Sequence, residues 1–249
     1  MTTLDEMINE TNLYVAELHT FNIGEIIKEM VNRYGLTKDV YVFPYPGEVP
    51  IHDRMTAFDY ITVTTFDGEL FADLWQPNKK FRYNIGIFSI PMQGEQSHYM
   101  SIVIDNKERT VYFWDSMAKG EDEDHVMSSL LGSMYNNYHI KILNVCSGCG
   151  AYQSSDQYYE QNIFCHTWSL WFIDQVLSSL SQGIKLSDTW NKLQSSCGDQ
   201  IYNLAIIKRF ARKLAMEYFD DYKPGRAMQY VWDYGNNMPQ NIVTLLGED

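Results

Sequence analysis

Three residues far apart in the chain, Cys165, His98 and Asp115, are of the types that together perform acyl-transfer chemistry. Cys165 lies in "QNIFCHTWSLWF", residues 161–172, ahead of Trp168, Trp171, Phe172, Val176 and Leu177 at three- and four-residue steps. That spacing predicts a helix with Cys165 near its N-terminus. There the positive end of the helix and a nearby imidazolium favour the thiolate, the form that reacts. A thiolate–imidazolium pair attacks a carbonyl carbon, and the imidazolium then protonates the leaving amine. A cysteine alone says little, because free cysteine is among the most buried and inert residues. His166 is adjacent, but neighbouring helical residues point in different directions, so it is read as structural or peripheral.

A histidine paired with a carboxylate is found in "SHYMSIVIDNKERTVYFWDS", residues 97–116. Two β-rich runs flank the polar turn "DNKER", which predicts a hairpin. With the turn centred between Asn106 and Lys107, His98 and Asp115 fall directly opposite each other at the open end. Directly opposite residues share a face, with Cβ atoms about 4.5–5.5 Å apart. A carboxylate accepting one ring N–H fixes the imidazole tautomer and stabilises the imidazolium.

The elements that must position these residues follow from periodicity. Residues 4–33 read as helical, with Gly35 as the stop. "YVFPYPGEVPIHDRM", Tyr41 to Met55, reads as a long proline-rich loop. "YITVTTF", "YNIGIFSI", "YMSIVID", "TVYFWD" and "IKILNVC" read as strands. "EDEDHVMSSLLGSMYNNY" reads as a helix with an acidic first turn. From Trp168 to about residue 220 the pattern is helical. The 249 residues are 45% hydrophobic and 14% aromatic, enough for a substantial core, and one α+β domain is expected. A net charge of −13 argues against nucleic-acid binding, which needs a basic surface. There is no signal-peptide pattern and no apolar run of about 18 residues, so a soluble intracellular protein is expected.

The order His98, Asp115, Cys165 and the intervals between these positions resemble the cysteine proteases of the adenain and Ulp/SENP type. So does "SIPMQGEQSHYMSIVIDNKERTVYFWDSM", with "DS" after the second strand. The resemblance covers roughly residues 85–180, and "FCHTWSLWF" is most similar to the large-DNA-virus branch. It implies a central mixed sheet flanked by helices, with helical N-terminal and C-terminal additions. Residues 1–55 would be the helical N-terminal part and proline-rich loop, 56–180 the catalytic core and 181–249 the C-terminal helices. It also implies an oxyanion donor among the loop glutamines. Gln153 comes first after the preceding strand, Gln157 fits better by distance to Cys165, and Gln161 ranks third. The implied substrate is a protein with a Gly-Gly motif, either a ubiquitin-like modifier or a viral precursor, in the cytoplasm, the nucleus or a virion. Trp75, Trp114 and Trp168 are candidates to cover the glycine pair, although large aromatics are first of all core material. The chain departs from the family pattern at Tyr99, where tryptophan is common, and at Phe164 and His166, where the family often has aspartate and glycine around the cysteine.

Other signals are weaker. "CSGC", Cys146 to Cys149, lacks a second ligand pair at zinc spacing, and its context is wrong for a thioredoxin-like motif. No phosphate loop or dinucleotide fingerprint occurs, so no cofactor or metal is expected. An acyltransferase using the same His–Asp–Cys core, or a non-catalytic modifier-binding module, are the alternatives.

Overall fold

Strands form where β-branched and aromatic residues run between turn formers. The computed structural model describes residues 24, 26–43, 75–91, 97–117, 128, 131–143, 152 and 165–195. Beyond these it describes positions 203, 206, 207, 209, 210, 213 and 214; at 88–91, 97, 98 and 166 only the backbone is described. Five strands make one mixed sheet in sequence order: β1 (Val40–Val42), β2 (Tyr83–Pro91), β3 (Ser97–Asp105), β4 (Thr110–Trp114) and β5 (His139–Ile142). The β2–β3 and β3–β4 pairs are antiparallel, and the two outer strands pair in parallel with their neighbours. This is the mixed sheet flanked by helices that the resemblance implies.

Both faces of the sheet are covered, which is why β4 reads as an unbroken apolar run, buried at all five positions. One face presents Ile85, Ile87, Val103, Tyr112 and Trp114 to the helices. The other presents Met100, Ile102, Ile104, Val111 and Phe113 to Phe43, Trp75, Leu131 and Tyr135. Gly86 lets that second layer close on β2. A Cβ there would lie 2.8 Å from Trp75 Cη2 and 3.1 Å from Phe43 Cβ, two rings stacked at 4.8 Å.

Helix α1 spans residues 26–33. It stops where Gly35 takes a left-handed φ of 69°, with the Leu36 N–H bonded to the Val31 carbonyl. Helix α2 (Cys165–Ser181) stops in the same way at Gly183, with the Ile184 N–H on the Ser179 carbonyl. Helix α3 (Leu186–Ser195) follows. Around α2, Trp168, Leu170, Trp171, Phe172, Ile173, Val176 and Leu177 are all buried. A helix apolar on every side is a central helix, packed against the sheet on one flank and other helices elsewhere. Its one buried acid, Asp174, accepts the Tyr34 hydroxyl at 2.8 Å and pairs with Lys213 Nζ at 3.4 Å. Among the described residues no helix is long and apolar enough to cross a membrane.

The hairpin register differs from the sequence expectation. The ladder pairs Asp105 with Thr110 and Ser101 with Trp114, so the turn centres between Lys107 and Glu108. The reason lies in the turn. Asp105 Oδ1 accepts the N–H groups of Lys107 and Glu108 at 2.9 and 3.1 Å, and Arg109 takes a φ of 48°. The carboxylate thus draws four residues, 106–109, into the loop. His98 and Asp115 are therefore not directly opposite. The shift is two residues rather than one, so the alternation of positions along the strands is kept.

A second correction concerns Tyr41, expected in a loop. It lies in β1, and Phe43 just beyond is buried in the core. The expected strand at 60–66 and the proline-rich stretch from Pro44 lie outside the described residues. The expected helix of residues 121–138 is seen as helical at 128 and 131–134, and the C-terminal helix at 203, 206, 207, 209, 210, 213 and 214.

Candidate active site

The candidate residues are reached from one rung of the sheet. Ser101 and Trp114 form the last pair of the β3–β4 ladder. On that rung α2 is anchored twice. The buried Ser101 hydroxyl donates to the Ser169 carbonyl at 3.0 Å, and the Trp114 ring stacks on Phe172 at 4.8 Å. The C-terminal half of α2 points the other way, because Asp174 meets Tyr34 at the end of α1, close to where β1 begins beside Tyr83. Tyr83 in turn pairs with Asp105 at the turn end of the ladder. The N-terminus of α2 is therefore directed toward the open end of the hairpin.

Each candidate is a short step from that rung. Cys165 opens α2, four residues before Ser169, or about 6 Å along the helix axis. Asp115 follows Trp114 directly. It is half-buried, and its Oδ1 accepts the Met117 N–H at 2.8 Å, which fixes the carboxylate plane. His98 is the second residue of β3, its backbone paired with Ile90 and about 10 Å along the strand from Ser101. Cys165 is a reduced thiol, 6% exposed. The backbones of all three candidates leave the Ser101–Trp114 rung toward the same end of the sheet.

Tyr152 adds a fourth approach that sequence reasoning missed. It is buried, with its ring 4.8 Å from Trp114, 5.2 Å from Trp168 and 5.6 Å from Trp171. Its hydroxyl donates to the Leu193 carbonyl of α3 at 2.5 Å. It thereby pins the chain just before Gln153 next to the residue preceding Asp115 and to the first turn of α2. Gln153, Gln157 and Gln161 themselves lie outside the described residues, as do Cys146, Cys149 and Cys197.

The three tryptophans weighed as a cover for the substrate or as core material are core residues. Trp75, Trp114 and Trp168 are each no more than 1% exposed, closed in by Phe43, Phe172 and Tyr152. Burying so large an apolar surface outweighs any gain from leaving it at a groove. Among the described residues no group of three or more His, Cys, Asp or Glu side chains is placed to hold a metal ion.

Residues 69–162 match the family model described as the Ulp1 protease family, C-terminal catalytic domain. The matched segment contains His98 and Asp115 and ends three residues before Cys165. No curated protein matches the chain. Among solved structures, the Legionella pneumophila effector protein RavZ is similar at 11% identity, with 80% of this chain and 69% of that chain covered and a TM-score of 0.37. The C-terminal Ulp1 protease domain in complex with SMT3, the yeast ortholog of SUMO, is similar at 13% identity, with 78% and 76% covered and a TM-score of 0.36. TM-scores of this size do not by themselves establish a common fold. The likeness to the Ulp1 protease family is carried by residues 69–162, which include strands β2 to β5 of the mixed sheet.

Proposed function

We propose that this chain is a cysteine protease that hydrolyses peptide or isopeptide bonds after a Gly-Gly pair, with a ubiquitin-like modifier as substrate. The observation that carries the reading is the position of Cys165. It opens α2 at the sheet end where the β3–β4 ladder runs out beside Asp115, directly downstream of a segment matching a protease catalytic domain. The family match also favours a modifier over a viral precursor.

In this mechanism His98 takes the proton of the Cys165 thiol, and the thiolate attacks the carbonyl carbon after the glycine pair. The tetrahedral oxyanion collapses, the C–N bond breaks, and the imidazolium gives its proton to the leaving amine. A thioester to Cys165 remains. Water, losing a proton to His98, adds to the thioester carbonyl, and the C–S bond breaks to release the carboxylic acid and the thiol. The net reaction is amide plus water to acid plus amine. Asp115 orients the imidazole and stabilises its cation. Gln153 donates to the oxyanion and ranks ahead of Gln157, because it directly follows Tyr152, whose ring packs on Trp114 and Trp168.

The test offers the full chain fluorogenic C-terminal derivatives of SUMO and of ubiquitin beside a Gly-Gly-X peptide. Release of the fluorophore from at least one modifier, exceeding peptide cleavage, is expected. Cleavage of the peptide with neither modifier touched would overturn the substrate assignment.

A further inference from the structure

Serine 169 lies one helical turn after Cys165 on the same face of α2. Its side chain is fully buried, and its hydroxyl has no hydrogen-bond partner. A serine inside a helix ordinarily bonds its hydroxyl to the carbonyl one turn back, here that of Cys165, and this one does not. Its contact with the sheet runs through the backbone, since Ser101 donates to the Ser169 carbonyl. Close packing on β3 therefore explains a small residue at this position but not an oxygen, and alanine would pack as well. Buried polar atoms are nearly always paired, and each exception calls for a physical account.

We propose that Ser169 is a positioning residue for the sulfur of Cys165, its hydroxyl donating to the thiolate once the thiol proton has gone to the imidazole. The inference rests on Cys165 being the nucleophile, as proposed above. Residues four apart on a helix have Cβ atoms about 5–6 Å from each other. The Cα–Cβ bond of a helical residue tilts toward the N-terminus, so the Ser169 side chain is presented toward the turn that holds Cys165, and rotation about its Cβ–Oγ bond aims the proton. No proton is transferred by Ser169; it is shared along the O–H···S bond. A hydrogen bond to a charged acceptor is stronger than a neutral one, so the hydroxyl is engaged only when charge forms.

Thr167 supplies an internal control. It is also fully buried in α2 with an unpartnered hydroxyl, but it lies about 200° round the helix from Cys165. The experiment follows thiolate absorbance against pH in the full-length protein, using Cys165→Ala to subtract the background, and records kcat, KM and Tm for each variant. In Ser169→Ala the midpoint of thiolate formation moves up by about one pH unit or more. Its kcat falls with KM unchanged, and its Tm is equal to or above that of the wild type. Thr167→Ala leaves the midpoint in place. A wild-type midpoint in Ser169→Ala, or an equal shift in Thr167→Ala, overturns the role of Ser169. Full turnover by Cys165→Ala instead overturns the protease assignment on which it rests.

Discussion

Substituting Ser101 by alanine separates the stability of α2 from its placement. The Ser101 hydroxyl is buried and donates to the Ser169 carbonyl at 3.0 Å, tying the first turns of the helix to the last rung of the β3–β4 ladder. Ser101→Ala removes this donor but orphans little, because a mid-helix carbonyl still receives the N–H four residues on. The loss is therefore that of one neutral hydrogen bond, about 1 kcal/mol. For a chain of this length that lowers Tm by roughly 2–4 °C. Turnover is expected to suffer more. Cys165 lies only four residues beyond the anchor, and a misplacement of about 1 Å at a reacting group costs up to about 100-fold. At a temperature where both proteins are folded, kcat on a fluorogenic modifier substrate should fall by about tenfold or more, with KM little changed. A kcat within a factor of about two of wild type, alongside the expected drop in Tm, would refute the idea that this bond places the nucleophile.

Further predictions follow from single contacts. Gly86→Ala pushes a methyl into the stacked Trp75 and Phe43 rings, neither of which has space to retreat, and should cost about 1–3 kcal/mol in urea unfolding; an unchanged midpoint would contradict the packing. Gln153→Ala should lower kcat by about 100-fold or more while Gln157→Ala leaves it near wild type, and the reverse result would reassign the oxyanion donor. Alkaline stability should fall as pH rises from about 10 toward 12. Burial, then the Asp174 carboxylate, pushes the Tyr34 hydroxyl up to about 12, and burial followed by Asp105 does the same for Tyr83 and Tyr112. A proton held more tightly in the folded chain stabilises it below the ordinary tyrosine value, and that stability is lost as pH approaches the raised one. Tyr34→Phe should flatten this decline in urea midpoints, and an unchanged slope would rule out the contribution.

The sequence made some parts of this arrangement legible and hid others. The runs at 83–90, 99–105 and 110–114 read as strands because their β-branched and aromatic residues end at turn formers. The helix from Cys165 and the Gly35 stop were equally clear from local pattern. The hairpin register was not, because Asp105 captures two backbone N–H groups and lengthens the loop, a competition between side chain and ladder that strand composition does not reveal. Strand β1 was hidden because it has only three residues and its parallel partner, β2, is far away in sequence. Whether Trp75, Trp114 and Trp168 line a site or fill the core stays open in sequence, because an aromatic side chain looks the same in either place. Tyr152 gave no signal in its polar loop. Its importance comes from three rings and a carbonyl that only the fold brings to it.

The central claim is that one sulfur does the chemistry. Its most direct test is turnover of a modifier-derived substrate by Cys165→Ala, with Tm measured in parallel. Complete loss of cleavage with Tm preserved is the predicted result, and cleavage at the wild-type rate by the alanine variant would contradict it.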